Sequence, residues 1–571
     1  MAEPAWPGLM DPMVKERIRG HLIQSGRWQQ LASEVDPRKP IPFLTRSLFR
    51  DYKRTGTRTR YEKEHRIRTH ALNTAVLMLW LDHPQAELDY VQDLMWAACE
   101  MSTWILPAHE FTTIDLTASA TARYLSEYSF ILSDRLETEV RERIHAELER
   151  RILVPATDPA RMDYWHTVDN NWNHVCNANL IATALYEIKD ARRLAAFIHP
   201  IVMRLGYAID GFTNDGGCVE GPGYWDYGFS HFVDAAIMLQ HRTGGAINLM
   251  TADPKIERIC RYPLATYLSA PKRLAFSDAD DDFIAASTAL KINRFFRLPR
   301  LYDYTQRTED RTMLYIKDLR GMSIYAGEQP QDRPEEDDFI LPDLGMAKAC
   351  AADKSSEVIL GVTAGDNGVS HNHNDLGSFV VYRKGAVLLT DPGAPLYTAK
   401  TFGPHRYDIL LCRSRGHSVP VINGLEQSAG ATFRATLTTE NFGVPGAIKK
   451  ITADLTRAYS DPTLASLVRR WELAPNGNLA MTDTYIFREQ PESLEEAFIT
   501  FANANVLENG DAVQLSEGTV TATLRSDGEG KFDIQTFSAG EYEGRGSASL
   551  HRIRFTPKTL LREMTLSFSL K

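Results

Sequence analysis

The sequence predicts a multidomain protein in which a helical region precedes an antiparallel β region. The chain has 571 residues, which is more than one hydrophobic core ordinarily serves. Its first half carries apolar residues at helical spacing, whereas its second half carries short runs rich in β-branched and aromatic residues. We therefore expect a helical domain over residues 1–309 and an antiparallel β domain over residues 310–571.

Several segments of the first half have the spacing of helices separated by short polar breaks, with little glycine or proline. These segments are 59–83, 86–106, 119–133, 136–153, 173–188, 190–209 and 225–244. Such lengths and breaks predict antiparallel helical hairpins. The sequence shows no fixed-period repeat of the kind that indicates a solenoid.

Short segments of the second half have the composition of strands and are separated by glycine, asparagine and aspartate. They are 312–319, 321–327, 356–365, 377–391, 519–528 and 547–557. Within 377–391, the stretch Arg383–Lys384–Gly385 predicts a hairpin turn. The polar, proline-bearing segment Glu328–Phe339 predicts an exposed loop. Many closely spaced strands indicate a β-sandwich or layered antiparallel sheets.

The composition is typical of a soluble globular protein, with 43% hydrophobic and 24% charged residues. The net charge is −10 and no long basic tract is present, which argues against a general affinity for nucleic acid. An anionic substrate would therefore need positive charge that is local to its binding site.

The N-terminal sequence and the cysteines predict a cytoplasmic protein without a membrane partner. Residues 1–22 lack the basic start and apolar stretch of a secretory signal. The apolar run Ala75–Leu81 is far shorter than the roughly 20 residues that span a bilayer. The cysteines include no CxxC pair and do not suggest a disulfide framework, which favours a reducing compartment. They are Cys99, Cys176, Cys218, Cys260, Cys350 and Cys412.

The first candidate cluster is the amide-rich stretch HTVDNNWNHVCNANL at residues 166–180. Asparagine is a good N-cap, so Asp169 or Asn170 can cap the helix that follows. Asn171, at the helix start, can present its side-chain NH₂ to a ligand oxygen. Trp172 suits either the core or a platform on which a sugar stacks.

The second candidate cluster is NDGGCVEGPGYWDYGFSHF at residues 214–232. Its glycines and proline predict a loop just before a helix, and loops dense in aromatic and carboxylate residues commonly form sites. The alternative is that its aromatic side chains pack between helices. The side chains of interest are Glu220, Tyr224, Trp225, Asp226 and Tyr227.

The third candidate cluster is VSHNHNDLGSFVVYRKGAVLLTDPG at residues 369–393. In an extended segment, His371 and His373 place both imidazoles on one face. Zinc commonly takes imidazole and carboxylate ligands, and Asp391 and His417 could complete a tetrahedral site if their strands are adjacent. The alternative is a hydrogen-bonded turn in which polar side chains satisfy backbone amides. Those side chains are Asn372, Asn374 and Asp375.

Together these motifs resemble the heparinase II/III-like superfamily of polysaccharide lyases, whose relatives include heparinases and alginate and oligoalginate lyases. The motifs are NNW, DGG-x-x-EGPGYWDYG, SHNHNDLGSFVVYRKGAVLLTDPG and RSRGHS. The resemblance spans about residues 163–423, extends more loosely to the later strands, and does not specify a substrate. It implies an incomplete (α/α) toroid followed by antiparallel β-sandwich layers. It also implies β-elimination at a 4-linked uronic acid, which leaves a 4,5-unsaturated end.

That elimination requires a neutralised uronate carboxylate, a base for the C5 proton and an acid for the departing O4. By resemblance, Asn171 binds the carboxylate, Tyr224 acts as acid and sometimes as base, and His371 is catalytic or neutralises the carboxylate. Trp172 stands where many relatives have a histidine base, so His174 is the nearest substitute. Tyr227 is the alternative if the register shifts by three residues.

The resemblance also implies a mainly structural zinc ion. Its ligands would be His373, Asp391 and His417. Candidate substrate-binding residues are Trp172, Glu220, Trp225, Arg413 and Arg415; the two arginines are proposed because they can bind acidic groups.

The leading hypothesis is a zinc-containing lyase that acts on an acidic oligosaccharide or polysaccharide, a glycosaminoglycan or an alginate. Its cleft would lie between the toroid and the β domain, and its substrates would be imported oligosaccharides. One alternative is a glycoside hydrolase that uses Glu220 and Asp226 as paired carboxylates. Another is a non-catalytic glycan-binding protein. The sequence leaves a homo-oligomer open.

Overall fold

The computed structural model describes residues 10–269, 272–279, 284–298, 301, 305–306, 314–316, 318–319, 321, 338–353 and 355–571. The chain divides into two compact units. The helical unit comprises Met1–Phe212, Tyr224–Glu257 and Ile284–Asp332, and the sheet unit comprises Thr213–Gly223, Arg258–Phe283 and Arg333–Lys571. Two segments from the helical half of the sequence therefore belong to the sheet unit. The predicted domain boundary at residues 309 and 310 stays a prediction, because 307–313 lie outside the described residues.

Helices dominate the described residues before position 300. They are α1 (Pro12–Gln24), α2 (Arg27–Glu34), α3 (Arg46–Thr55), α4 (Thr59–Trp80), α5 (Leu88–Glu100), α6 (Leu116–Ile131), α7 (Thr138–Leu148), α8 (Val154–Thr157), α9 (Asn171–Glu187), α10 (Ala191–Asp210), α11 (Pro222–Tyr224), α12 (Ser230–Arg242), α13 (Pro254–Thr266), α14 (Ala286–Asn293) and, near the C-terminus, α15 (Ala539–Tyr542). Wider π-helical turns occupy Glu149–Leu153 and Trp225–Phe229. Each predicted helical segment overlaps one of these helices, with ends that differ by a few residues.

Helix α9 is buried along almost its whole length. It begins at Asn171 because the side chain of Asn170 accepts a hydrogen bond from the Trp172 amide. Further along, the Asn173 side chain donates to the Trp165 carbonyl at 3.2 Å. Because buried amides need partners, bonds of this kind explain part of the asparagine-rich pattern without a ligand.

The strands are mostly antiparallel and lie in several sheets. They are β1 (Tyr267–Ser269), β2 (Lys272–Arg273), β3 (Ile284–Ala285), β4 (Thr305–Gln306), β5 (Phe339–Leu341), β6 (Met346–Cys350), β7 (Val358–Thr363), β8 (Gly365–Asn367), β9 (Phe379–Arg383), β10 (Ala386–Leu389), β11 (Val421–Ile422), β12 (Gly430–Glu440), β13 (Lys449–Asp454), β14 (Leu464–Leu473), β15 (Leu479–Phe487), β16 (Leu494–Thr500), β17 (Asn503–Val506), β18 (Ala512–Glu517), β19 (Val520–Ser526), β20 (Gly530–Phe537), β21 (Leu550–Pro557) and β22 (Glu563–Leu570).

The sheet unit is layered. A nine-stranded sheet has the order β17-β18-β19-β22-β15-β14-β13-β12-β8, a four-stranded sheet has the order β11-β16-β21-β20, and a five-stranded sheet has the order β10-β9-β7-β6-β5. The three sheets share one core. In this core, the ring centroids of Trp471 and Phe498 lie 5.8 and 6.3 Å from the ring centroid of Phe379. The predicted order of a helical region and an antiparallel β region is confirmed.

The hairpin predicted at Arg383–Lys384–Gly385 is confirmed. Arg383 pairs with Ala386 across the turn, and both intervening residues have positive φ, +47° at Lys384 and +88° at Gly385. This is the conformation of a type I′ turn, which matches the twist of the flanking strands.

The strand predicted over 312–319 is wrong for its described part. Ile316, Asp318 and Leu319 are helical and buried. A short apolar run cannot by itself distinguish a buried strand from a buried helix, and here the helix prevails. The predicted strand at 321–327 and the predicted loop at 328–339 fall almost entirely outside the described residues. Across the ranges that the structure describes, no helix combines the length and apolarity needed to cross a membrane.

A buried ion cluster ties the helical unit together. The Asp234 carboxylate accepts hydrogen bonds from Arg123 Nη2 and Lys291 Nζ, each at 2.7 Å, and all three side chains are almost completely buried. Removing one member of such a cluster costs more than the pairing itself contributes, because the remaining charges stay buried.

Asp234→Ala is expected to lower the free energy of unfolding by about 3–5 kcal/mol, because it removes the carboxylate that two buried cations share. Denaturant unfolding followed by circular dichroism measures the change. Arg38→Ala, which removes an exposed guanidinium from Asp36, is the control and should leave the transition in place. An Asp234→Ala transition that coincides with the wild type would contradict this role.

Candidate active site and metal centre

One buried carboxylate holds both imidazoles of the His-x-His motif. Asp278 Oδ2 lies 2.6 Å from His371 Nδ1, and Asp278 Oδ1 lies 2.8 Å from His373 Nε2. Arg406 Nη2 donates to Asp278 Oδ1 at 2.8 Å. Burial by itself raises the pKa of Asp278, but the two imidazole hydrogen bonds and the Arg406 charge outweigh it, so the pKa lies below its ordinary value.

His371 has the geometry of an oriented acid–base group. Its backbone is left-handed, with φ +59°, a conformation that is costly outside glycine and that clusters at functional sites. Because Nδ1 faces Asp278, a proton exchanged with a ligand would pass through Nε2. Glu220 Oε1 lies 3.5 Å from Nε2 and accepts a hydrogen bond from Ser370 Oγ at 3.1 Å. The Tyr397 hydroxyl donates to Asp278 Oδ2 at 3.1 Å.

A second cluster gathers four buried side chains that can ligate a metal ion: His373, Asp375, Asp391 and His417. One potential ligand atom from each lies within 4.8 Å of all the others. Three of these residues were predicted from the sequence, and Asp375 is the addition. The sequence contained a signal for Asp375, because this residue follows His373 by two positions. An aspartate at this position also suits a hydrogen-bonded turn, so the sequence left its role open.

The hydrogen bonds around the two imidazoles fit a cation at this cluster. His373 uses Nε2 for Asp278, and its buried Nδ1 has no hydrogen-bond partner among the described residues. His417 Nε2 donates to the Leu411 carbonyl at 2.8 Å, and its Nδ1 faces Asp391 Oδ2 at 3.0 Å. Metal-bound histidines characteristically donate their second nitrogen to a carboxylate or a carbonyl in this way. The buried cluster therefore could bind a metal ion.

The protonation of the same cluster is perturbed by burial and by mutual charge. Burial raises the pKa of Asp375 to about 7, and the Asp391 carboxylate acts in the same direction. Burial lowers the pKa of His373, against the opposing effect of Asp278. Burial also acts to lower the pKa of His417, but Asp391 and Asp375 outweigh it and raise the pKa to about 9. A cation that bound here would therefore have to displace protons from Asp375 and His417.

In the helical unit, Asn171 and the tyrosine-bearing turn lie against each other. A Cβ added at Gly228 would stand 3.1 Å from Asn171 Cβ, so glycine permits this close approach. Asn171 is the first residue of α9 and is buried. Tyr224 ends α11, immediately before the π-helical turn, and is half-buried.

Tyr227 lines a cavity of about 400 Å³ within the helical unit. Its side chain is 42% exposed, but the exposed part faces this cavity, and removal from bulk water is the main reason that its pKa is raised. His231 also lines the cavity and donates Nδ1–H to the Tyr227 carbonyl at 2.7 Å. Hydroxyl, imidazole and charged groups share the wall, among them Thr69, Thr117, Tyr124, His65 and Arg66.

Two predicted site residues of the helical unit lie in its core. The His174 ring is 1% exposed and packs near Phe212, Phe229 and Phe232, and burial lowers its pKa to about 3. Trp225 is fully buried and packs against Phe229. Both side chains are buried among aromatic rings, and the predicted roles of His174 as a base and of Trp225 in substrate binding stay predictions.

The predicted anion-binding arginines are already paired. Arg413 and Arg415 both donate to the Glu426 carboxylate, Arg413 through Nε at 3.0 Å and Arg415 through Nε at 3.2 Å. The expected capture of acidic substrate groups would have to compete with this carboxylate. The shared partner could not be identified from sequence spacing alone.

Trp172 lies in an aromatic cluster of the helical unit. Its ring centroid is 4.7 Å from His109 and 5.4 Å from Tyr164. Phe111, at 6.1 Å, is largely exposed. The position is compatible with either alternative that the sequence left open, packing or sugar stacking.

The family match covers the C-terminal β region, and the structural matches cover almost the whole chain. Residues 333–567 match the family model described as Heparinase II/III-like, C-terminal. The crystal structure of Heparinase III has a TM-score of 0.65 at 10% identity, covering 99% of this chain and 93% of that chain. That of heparan sulfate lyase HepC from Pedobacter heparinus has a TM-score of 0.59 at 13% identity, covering 94% and 84%. No curated protein sequence matches this chain.

At these identities the structural similarity shows the fold alone. It confirms the predicted fold class, an incomplete (α/α) toroid followed by antiparallel β-sandwich layers. His373, Asp391 and His417 lie close together in the sheet unit, and Glu220 lies beside the neighbouring His371. The roles predicted for these residues stay predictions. Asp278, Asp375 and Arg406 join them without having been predicted as site residues.

His373→Ala is expected to abolish metal retention, because it removes a ligand with a preoriented Nδ1. Elemental analysis of the purified protein after dialysis measures the metal content. His371→Ala, two residues away, is the matched control and should retain the metal, since His371 contacts Asp278 but is not among the four clustered ligands. Equal metal content in both variants and the wild type would contradict the assignment of the ligands.

Proposed function

We propose that this protein is a polysaccharide lyase, because its residues 333–567 match the heparinase II/III-like C-terminal family model and the chain has a fold similar to that of Heparinase III. The observation that carries the proposal is the His371 imidazole, which Asp278 orients beside Glu220. A fixed imidazole in a family of lyases suits proton transfer or charge neutralisation at a uronate.

The proposed reaction is β-elimination at a 4-linked uronic acid. The Asn171 amide donates to the uronate carboxylate and so makes the C5 proton more acidic. The Tyr224 phenol donates a proton to the departing O4. His371 either neutralises the uronate carboxylate as a cation or removes the C5 proton as a neutral imidazole.

A hydrolase would need two carboxylates flanking the bond that breaks. The two candidates have other tasks: Glu220 accepts a hydrogen bond from Ser370, and Asp226 accepts one from the Ala285 amide at 3.1 Å. No feature of the described residues favours this alternative, so elimination is the function that we propose.

We propose zinc as the metal, held by His373, Asp375, Asp391 and His417, since two imidazoles and two carboxylates suit its tetrahedral coordination. When bound, it would fix the turn that carries His371. The protein's own groups would perform the proton transfers, and the turn would keep His371 in register with Asp278.

For the substrate we propose an acidic glycan, with glycosaminoglycans ahead of alginate, because heparan sulfate lyase is among the structural neighbours. The net charge of −10 means that attraction must be local. Arg66, on the wall of the helical-unit cavity, is one exposed cation of the required kind.

Incubation with heparan, chondroitin, hyaluronan, alginate and pectic oligosaccharides tests the proposal. A lyase gives products with the ultraviolet absorbance of a conjugated C4=C5 double bond, and one substrate class is expected to give it. Hydrolytic products without the double bond, or no product from any uronate glycan, would contradict elimination.

On the substrate so identified, Tyr224→Phe is expected to lower kcat by about 10²–10⁴-fold, because the phenol that transfers a proton is lost while the ring remains. Tyr227→Phe, one turn along the same stretch, is the matched control and should keep most of the activity. The reverse pattern would transfer the role to Tyr227, and full activity in both variants would exclude either tyrosine as the proton donor.

A further inference from the structure

The buried guanidinium of Arg469, on β14, contacts the loop that carries Asp375 and the loop that carries His417. Its Nη1 donates to the Gly377 carbonyl at 3.0 Å and to the Ser418 carbonyl at 2.6 Å. Gly377 follows Asp375 by two residues, and Ser418 directly follows His417. One nitrogen therefore joins the two loops.

The remaining donors of the same guanidinium are also engaged. Nε donates to Asp483 at 2.8 Å, and Nη2 donates to Asp483 at 2.6 Å and to Glu496 at 2.9 Å. All three charged side chains are fully buried. With every N–H of the planar fork engaged, the direction of Nη1 is fixed by strands β14, β15 and β16.

Further bonds connect the loops to the same framework. The Ser418 amide donates to Ser378 Oγ at 3.4 Å, and Ser378 Oγ lies 3.4 Å from Asp391 Oδ2. The Gln427 side chain accepts from the Leu376 amide and donates to the Leu376 carbonyl. The backbone next to Asp375 and His417 is thus held by buried hydrogen bonds, and Ser378 Oγ lies between this backbone and the Asp391 carboxylate.

We infer that Arg469 is a positioning residue of the metal centre, which sets the separation of Asp375 from His417 by fixing the Gly377 and Ser418 carbonyls. This inference rests on the metal centre proposed above and on no property of the substrate. A cluster that served stability alone would leave metal affinity unchanged once the protein had folded. Partners outside the ligand set typically affect metal affinity by about 10–100-fold.

The test is zinc affinity, measured by competition with a chelator on folded full-length protein without any glycan. The triple variant Arg469→Met, Asp483→Asn, Glu496→Gln removes the guanidinium without leaving a buried charge, and it should bind zinc about 10–100-fold more weakly. Arg469→Lys keeps the charge but has only three donors, and it should also weaken binding, so the test does not depend on the triple variant folding.

The matched control is the buried ion cluster of the helical unit. The triple variant Arg123→Met, Asp234→Asn, Lys291→Met removes an equivalent set of charges and should bind zinc as the wild type does. Wild-type affinity in a folded Arg469 variant would overturn the inference, as would a wild-type protein that takes up no zinc. Since no substrate is present, an absence of lyase activity would contradict the proposed function without affecting this result.

Discussion

The candidate site depends on the buried carboxylate of Asp278. Its Oδ2 lies within hydrogen-bond distance of His371, and its Oδ1 lies within hydrogen-bond distance of His373 and Arg406. A single side chain therefore orients the proposed catalytic imidazole and one proposed metal ligand. A buried carboxylate is stable only with such partners, because burial alone strongly disfavours its charge. The backbone of His371 is left-handed, which is an unfavourable conformation for a residue other than glycine. In this conformation the side chains of His371 and His373 both reach the Asp278 carboxylate.

The surrounding sheets make this turn rigid. Arg469, Asp483 and Glu496 lie on three strands of the layered core, and hydrogen bonds from this cluster reach loops that bear ligands. Sites on loops are precise only where the underlying framework fixes the loop backbone. The proposed role of His371 and the proposed metal centre therefore both depend on buried polar groups of the sheet unit.

Most of the architecture could be predicted from local pattern. Helical spacing identified α4 to α7, α9, α10 and α12, and the stretch Arg383–Lys384–Gly385 identified the β9–β10 hairpin. The strand predicted over 312–319 failed because a short buried apolar run fits either structure. His373, Asp391 and His417 were found through motifs. Asp278 could not be found in that way, because it lies 93 residues before His371 and only the fold brings it there. For the same reason, the burial of His174 and Trp225 could not be inferred from their polar and aromatic surroundings.

The most direct measurement of the central claim is the steady-state kinetics of Asp278→Asn on the identified glycan, with zinc saturating. Asparagine keeps the size of the side chain but cannot accept hydrogen bonds at both terminal atoms. If Asp278 orients His371, kcat should fall by about 10²–10⁴-fold while KM changes little, since a proton-transfer group is misaligned and the remaining substrate contacts persist. A kcat equal to that of the wild type would contradict the account.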